Sequence, residues 1–102
     1  MYGTVARFRL KPGMLEQVRR FFDEMEPPPG QVWRFVYQLD SDPDEYMVAV
    51  AFESKEAYIA NADRPEQHAA FMRLAELLQG APEWHDGEIV SAHIYQRADR
   101  PR

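Results

Sequence analysis

Apolar residues recur at every second position, then at every third or fourth, then at every second again, with proline or glycine at the first changes of period. No other feature restricts the fold so strongly, because side chains repeat along a strand every two residues and along an α-helix every ~3.6. In residues 2–10, Thr4, Ala6, Phe8 and Leu10 fall on one face, and Val5, Arg7 and Arg9 on the other, which predicts a strand. Lys11, Pro12 and Gly13 stop it, since proline cannot donate a backbone bond and glycine permits a turn. Leu15, Val18, Phe22 and Met25 then step by three, four and three, the stripe of an amphipathic helix. Pro27, Pro28, Pro29 and Gly30 end that helix by removing amide donors and disfavouring helical geometry before each proline.

Residues 31–39 alternate again, with Trp33, Phe35, Tyr37 and Leu39 facing one way and Val32, Arg34, Val36 and Gln38 the other. A turn-forming run at 40–45 and a strand at 46–53 complete a predicted hairpin. Ser54 is placed to cap a short helix over 55–61. Asp63 and Glu66 have capping-box spacing with Pro65 in the first turn, so a further helix is expected to run to Gln79, with Gly80 as its stop. Residues 88–96 alternate once more, Val90, Ala92 and Ile94 against Ile89, Ser91, His93 and Tyr95, and predict the last strand. The order is that of an α+β, ferredoxin-like βαββαβ chain: a four-stranded antiparallel sheet with its helices on one face. One domain over residues 1–96 is expected, followed by a basic tail at 97–102 that reads as a solvated end.

Twelve basic against seventeen acidic residues, a net charge of −5, argue against nucleic-acid binding, which needs clustered lysine and arginine. No stretch approaches the roughly 20 apolar residues that cross a membrane. The absence of cysteine excludes disulfides, a thiolate nucleophile and Cys-ligated zinc, and a cytoplasmic location is the default expectation. The three histidines lie at no ligand spacing, and no metal is expected.

The two sheet faces carry different messages. On the helix-free side the alternation places Arg7, Arg9, Arg34, Gln38 and His93 among Val5, Val32, Val36, Ile89 and Tyr95. An apolar patch of this kind is rarely left exposed, so a homodimer through the helix-free face is expected. Its arginines would then need acidic or carbonyl partners, because a buried unpaired charge is costly. The helix side would collect Trp33, Phe35, Tyr37, Phe8, Phe22, Phe71 and Met72, either as plain core or as the lining of a pocket for a flat apolar ligand. On a regular last helix His68 shares a face with Phe71, Met72, Ala75 and Leu78. It is then either a buried histidine with a bonded ring, or a base kept neutral by desolvation below its usual ~6.5 and able to take a proton from a phenol.

The Lys-Pro-Gly turn at 11–13, the Ser-Lys-Glu-Ala helix start at 54–57 and the Pro-x-x-His at 65–68, in that order and at that spacing, resemble the antibiotic biosynthesis monooxygenase family over residues 2–96. The resemblance implies a dimeric α+β barrel with a pocket between sheet and helices. It also implies cofactor-independent oxygenation of quinols, anthrones or related polyphenols, or, in other members, haem degradation. Members commonly carry Glu-x-Trp at the end of the third strand and a histidine before the last helix. Here those positions hold Val50 and Phe52, and Asn61. The Asn, Trp and His set of the haem degraders falls on Ala6, Asn61 and Phe71, which argues against haem.

The expected activity is oxidation of a small hydroxylated aromatic molecule by O₂ without flavin or metal, because a phenolate is electron-rich enough to reduce oxygen directly. His68 and Asn61 are the candidate catalytic residues, as base and as donor to a substrate oxygen. Trp33, Tyr37, Tyr58, Phe71 and Trp84 are the candidate substrate-binding residues. Two other readings stand beside it: a ligand-binding or stress-associated dimer without turnover, and a ferredoxin-like unit with a filled core.

Overall fold

A computed structural model describes residues 1–95. Its elements are β1 (Tyr2–Arg9), α1 (Leu15–Glu24), β2 (Gln31–Gln38), β3 (Glu45–Phe52), α2 (Lys55–Ala62), α3 (Pro65–Ala75) and β4 (Glu83–Glu88). They form one four-stranded sheet in the order β2-β3-β1-β4, with every pairing antiparallel. The helices cover one face. There Phe8, Leu10, Val18, Phe22, Tyr46 and Val48 pack with Leu74 and Leu78 as the core. This is the α+β, ferredoxin-like arrangement that the changes of period predict. The basic tail at 97–102 lies outside the described residues.

β1 follows its alternation closely: Thr4, Ala6, Phe8 and Leu10 are buried, while Val5, Arg7 and Arg9 are exposed. Gly13 adopts φ +80°, the left-handed geometry that lets the chain turn into α1. α1 ends where the prolines approach, with Met25 already extended. Ser54 caps α2 by accepting from the Ala57 amide at 3.1 Å. Asp63 does not cap α3, because it closes α2 in a helical conformation (φ −87°, ψ −4°), and an N-cap must leave that region. Arg64 takes the place instead, extended as the residue before a proline must be.

The face of α3 is rotated from its expected position. Ala70 and Leu74 are buried, whereas Met72 is 52% exposed. Leu74, the large aliphatic residue left out of the predicted stripe, sets the phase. The helix also ends at Ala75 rather than Gln79. Short turns from Leu77 to Leu74 and Leu78 to Ala75 tighten its end, and the backbone then pairs with β1 through Lys11 N to Leu77 O and Gln79 N to Arg9 O.

Two further departures change what the sheet presents. In β2 the register slips between Gln31 and Trp33, so Val32 has no opposite residue and forms a bulge. Side chains alternate with period two, and one extra residue therefore moves every later side chain to the other face. Arg34, Val36 and Gln38 lie opposite Val50, Val48 and Tyr46 on the helix side. Trp33, Phe35 and Tyr37 lie opposite Ala51, Ala49 and Met47 on the helix-free side. The expected assignment of this strand's faces is thus inverted.

The last strand is Glu83–Glu88, not 88–96. The backbone bonds at residues 77–79 fix where the chain returns beside β1, and pairing then runs from Arg7↔Glu83 to Tyr2↔Glu88. β1 starts at Tyr2, so the ladder ends there, with one further bond from Ile89 N to Met1 O. The alternating run that looked like a strand leaves Val90, Ile94 and Tyr95 at 93%, 74% and 79% exposure.

Candidate functional site

Between the helices and their face of the sheet lies an open cavity of about 530 Å³. Cavities that hold small molecules run to roughly 300–1,000 Å³. Its apolar walls come from Phe8, Phe22, Val48, Phe52, Phe71 and Leu74, and Trp84 on β4 closes one side. The Phe71 and Trp84 rings lie 6.2 Å apart, and the Tyr58 ring meets Phe52 edge-on at 5.5 Å. Such walls suit a flat aromatic molecule, because ring faces and edges attract at these separations.

Polar groups gather at two ends. At one end Arg34, delivered there by the β2 bulge, donates to the carbonyls of Phe22 at 2.9 Å and Met25 at 3.4 Å and to Gln31 Oε1 at 3.3 Å. Its guanidinium also lies 5.9 Å from the Phe22 ring centre. It adds a charged donor to carbonyls at the C-terminus of α1, where a cation is favoured. Burial lowers the Arg34 pKa from its usual value, and the charge of Asp23 opposes that.

At the other end stand Thr4, Tyr58, Asn61, Gln67, His68 and Asp86. Tyr58 on α2 donates to Asp86 Oδ1 at 2.9 Å. Burial, then the bond and charge of Asp86, push the Tyr58 phenol up to about 12, against a smaller opposing effect of the neighbouring Thr4 hydroxyl. Asn61 is 8% exposed. Its Nδ2 donates to Gln67 Oε1 at 3.2 Å and its Oδ1 accepts from Arg64 Nη1 at 3.2 Å. An amide nitrogen carries two hydrogens, so one N–H of Asn61 is uncommitted. Thr4 is 6% exposed, and its buried hydroxyl lies beside that of Tyr58.

Of the residues singled out in the sequence, His68, Asn61, Tyr58, Phe71 and Trp84 come together around this cavity. Trp33 and Tyr37 do not: the bulge at Val32 sends them to the opposite face, 5.2 Å separating the Trp33 and Phe35 rings there. His68 lines the cavity from α3 but stands exposed at its rim, not buried against the sheet. Sequence reasoning missed Thr4, Arg34 and Asp86. Thr4 was placed on the correct face without a role. Asp86 sat in what looked like a loop, and only the pairing of β4 aims it at the cavity. Among the described residues, no group of three histidine or carboxylate side chains converges as a metal site requires, and no helix is long and apolar enough to cross a membrane.

The family model for antibiotic biosynthesis monooxygenase matches residues 1–74. The chain belongs to the antibiotic biosynthesis monooxygenase family. Among solved structures, a protein from Chloroflexus aurantiacus described as an antibiotic biosynthesis monooxygenase is 26% identical, with a TM-score of 0.76 over 90% of this chain and 95% of that one. A family member from Caulobacter crescentus is 18% identical, with a TM-score of 0.77 over 88% of this chain and 90% of that one. SnoaB, a cofactor-independent oxygenase from Streptomyces nogalater, is 15% identical, with a TM-score of 0.69 over 89% of this chain and 94% of that one. The last two likenesses are of fold. Comparison with curated proteins gives no match.

Proposed function

We propose that this family member is a cofactor-independent monooxygenase acting with O₂ on a small hydroxylated aromatic molecule of the quinol or anthrone type. The observation that carries this reading is the aromatic-walled cavity with a cluster of hydroxyl, amide, carboxylate and imidazole groups at one end. An anthrone supplies all the electrons the reaction needs. Its ring CH₂ becomes C=O, one oxygen atom of O₂ enters the ring, and the other leaves with the two hydrogens as water. The protein's part is to hold the ring, accept a proton and donate to the oxygen that gains charge. In this reading His68 accepts the proton at the rim, and the free amide N–H of Asn61 donates to the substrate oxygen. Phe71, Trp84 and Tyr58 hold the ring. SnoaB, which shares the fold, is itself a cofactor-independent oxygenase.

The proposal includes a homodimer closed over the helix-free face. Val5, Phe35 and Tyr37 are 43%, 50% and 53% exposed there. The arginines of that face already have acids: Arg7 meets Glu45 at 2.9 Å and Arg9 meets Asp42 at 2.7 Å. A second copy could cover this surface without burying an unpaired charge.

The test is oxygen uptake by the purified protein with a panel of anthrones and quinols and no added flavin or metal. Consumption of one O₂ per quinone formed is expected, with a loss of about 10²-fold or more in His68→Ala if the histidine is the base. No uptake with any member of the panel refutes the oxygenase. The exposure of His68 favours a second reading, a dimer that binds the same ligands without turnover. Stoichiometric binding without oxygen consumption would establish it.

A further inference from the structure

Residues 89–95 have the pattern of a strand and no strand to join. Ile89, Ser91, His93 and Tyr95 alternate with Val90, Ala92 and Ile94, and apart from the histidine none of them is acidic or basic. An antiparallel strand with one face in water shows a polar side, whereas one apolar on both sides belongs between two covering layers. Here neither side is covered, and Val90, Ile94 and Tyr95 stand out in solvent. β1 begins at Tyr2, so the segment runs past the end of its own sheet with nothing beside it.

β2 is open in the complementary way. It is an edge strand, so one row of its backbone groups faces no neighbour. Past the bulge at Val32 its register runs regularly to Gln38. Both of its faces are also uncovered. Phe35 and Tyr37 are half exposed on the helix-free side. On the helix side Val36 is 39% exposed, and an open groove of about 430 Å³ separates β2 from α1, walled by Leu15, Val18, Phe22, Val36 and Tyr46. A strand added to β2 places one set of alternate side chains over that groove and the other set beside Phe35 and Tyr37. The other open edge, β4, presents Glu83, His85, Asp86 and Glu88, and charges of this kind deter edge pairing. The segment is not placed to serve its own β2. β4 and β2 stand at opposite ends of the order β2-β3-β1-β4, roughly 14 Å apart. Crossing that distance takes about four residues of extended chain, more than half the segment, and leaves too few to pair.

We infer that residues 89–95 form an added strand on the open edge of β2 in a second copy of this chain. The inference rests on the homodimer proposed above and adds the element that joins its halves. Each β4 runs on to the other copy's β2, so the two sheets are stitched at both seams and β2 is no longer a free edge. Phe22 and Arg34 line both the groove and the ligand cavity, so the partner's segment backs one wall of each cavity.

Hydrogen exchange of the backbone amides, measured beside sedimentation equilibrium, tests the added strand. In a dimeric wild type, alternate amides of residues 89–95 are expected to exchange about a hundredfold or more slowly than in a free peptide, as hydrogen-bonded strand does. In a Phe35→Asp monomer they should return to the free rate. Val90→Asp and Ile94→Asp each put a carboxylate into the seam and should each weaken the dimer about a hundredfold or more. Both side chains are exposed in the single chain, so neither change should unfold the protomer, and unchanged far-ultraviolet dichroism checks this. A wild-type dimer whose segment exchanges at the free rate, or whose affinity both aspartates leave unchanged, overturns the added strand and leaves the face-to-face dimer standing. A wild-type monomer overturns both. Protection that persists in the Phe35→Asp monomer means that the segment is covered by its own chain, and it too overturns the inference. Oxygen uptake enters none of these outcomes, so the oxygenase reading stands or falls separately.

Discussion

Phe35→Asp separates the two assignments of β2. The alternation of the sequence points Phe35 at the helices, where an aspartate would lie in the core and the protein would unfold. The bulged strand points it away from them, at 50% exposure. A phenylalanine side chain has on the order of 200 Å² to bury, so roughly 100 Å² remains uncovered in the single chain. At ~25 cal/mol/Å², covering that area contributes about 2.5 kcal/mol per protomer. A two-fold contact counts it twice, for about 5 kcal/mol. Losing that weakens the dimer by about three to four powers of ten in dissociation constant, before any repulsion between the two introduced carboxylates. The entropic cost of association is common to variant and wild type and cancels in the difference. Sedimentation equilibrium at micromolar concentration is expected to give a dimer for the wild type and a monomer for Phe35→Asp, with unchanged far-ultraviolet dichroism. An unfolded variant would refute the face assignment. A wild-type monomer, or a variant that keeps the wild-type mass, would refute the dimer contact.

Two other variants test the ends of the cavity. Arg34→Met removes the cation that serves the α1 carbonyls and should lower stability by about 1–3 kcal/mol, read from the urea midpoint at constant slope. No change would mean those carbonyls are satisfied without it. Tyr58→Phe addresses pH. The folded pKa of Tyr58 is raised from 10.0 to about 12, so its contribution is whole below pH 10 and is lost as the pH rises through about 12. Because the residue is only partly buried, that contribution is worth about 1 kcal/mol at most after solvent screening. The variant should lack this component of the alkaline loss of stability, and parallel curves for the two proteins between pH 10 and 12 would contradict a Tyr58 phenol held protonated by burial and by Asp86.

The sequence by itself determined the element order and with it the fold. Prolines, glycines and changes of apolar period are local, and local backbone preference suffices to mark β1, α1, β2, β3 and both later helices. It also placed Thr4, Ala6, Phe8 and Leu10 on the buried side of β1, because that strand runs without interruption. The capping of α2 by Ser54 was legible for the same reason. The cavity residues His68, Asn61, Tyr58, Phe71 and Trp84 were reached partly through family resemblance, which carries information that periodicity lacks.

Tertiary pairing decided the rest. The phase of β2 depends on one unpaired residue, Val32, and nothing in a polar-apolar pattern marks a bulge, since the slip exists only relative to β3. It turned an aromatic stripe outward and an arginine inward, and so exchanged the residues assigned to the cavity and to the proposed dimer face. β4 is polar and barely patterned, yet it forms because β1 has an open edge where the chain returns, whereas the better-patterned residues that follow have no partner there. Backbone hydrogen bonds do not depend on side-chain type, so a strand held mainly by them leaves little trace in the sequence. Asp86 reaches the cavity through that strand, and its meeting with Tyr58 belongs to the fold rather than to either residue's neighbours in the chain.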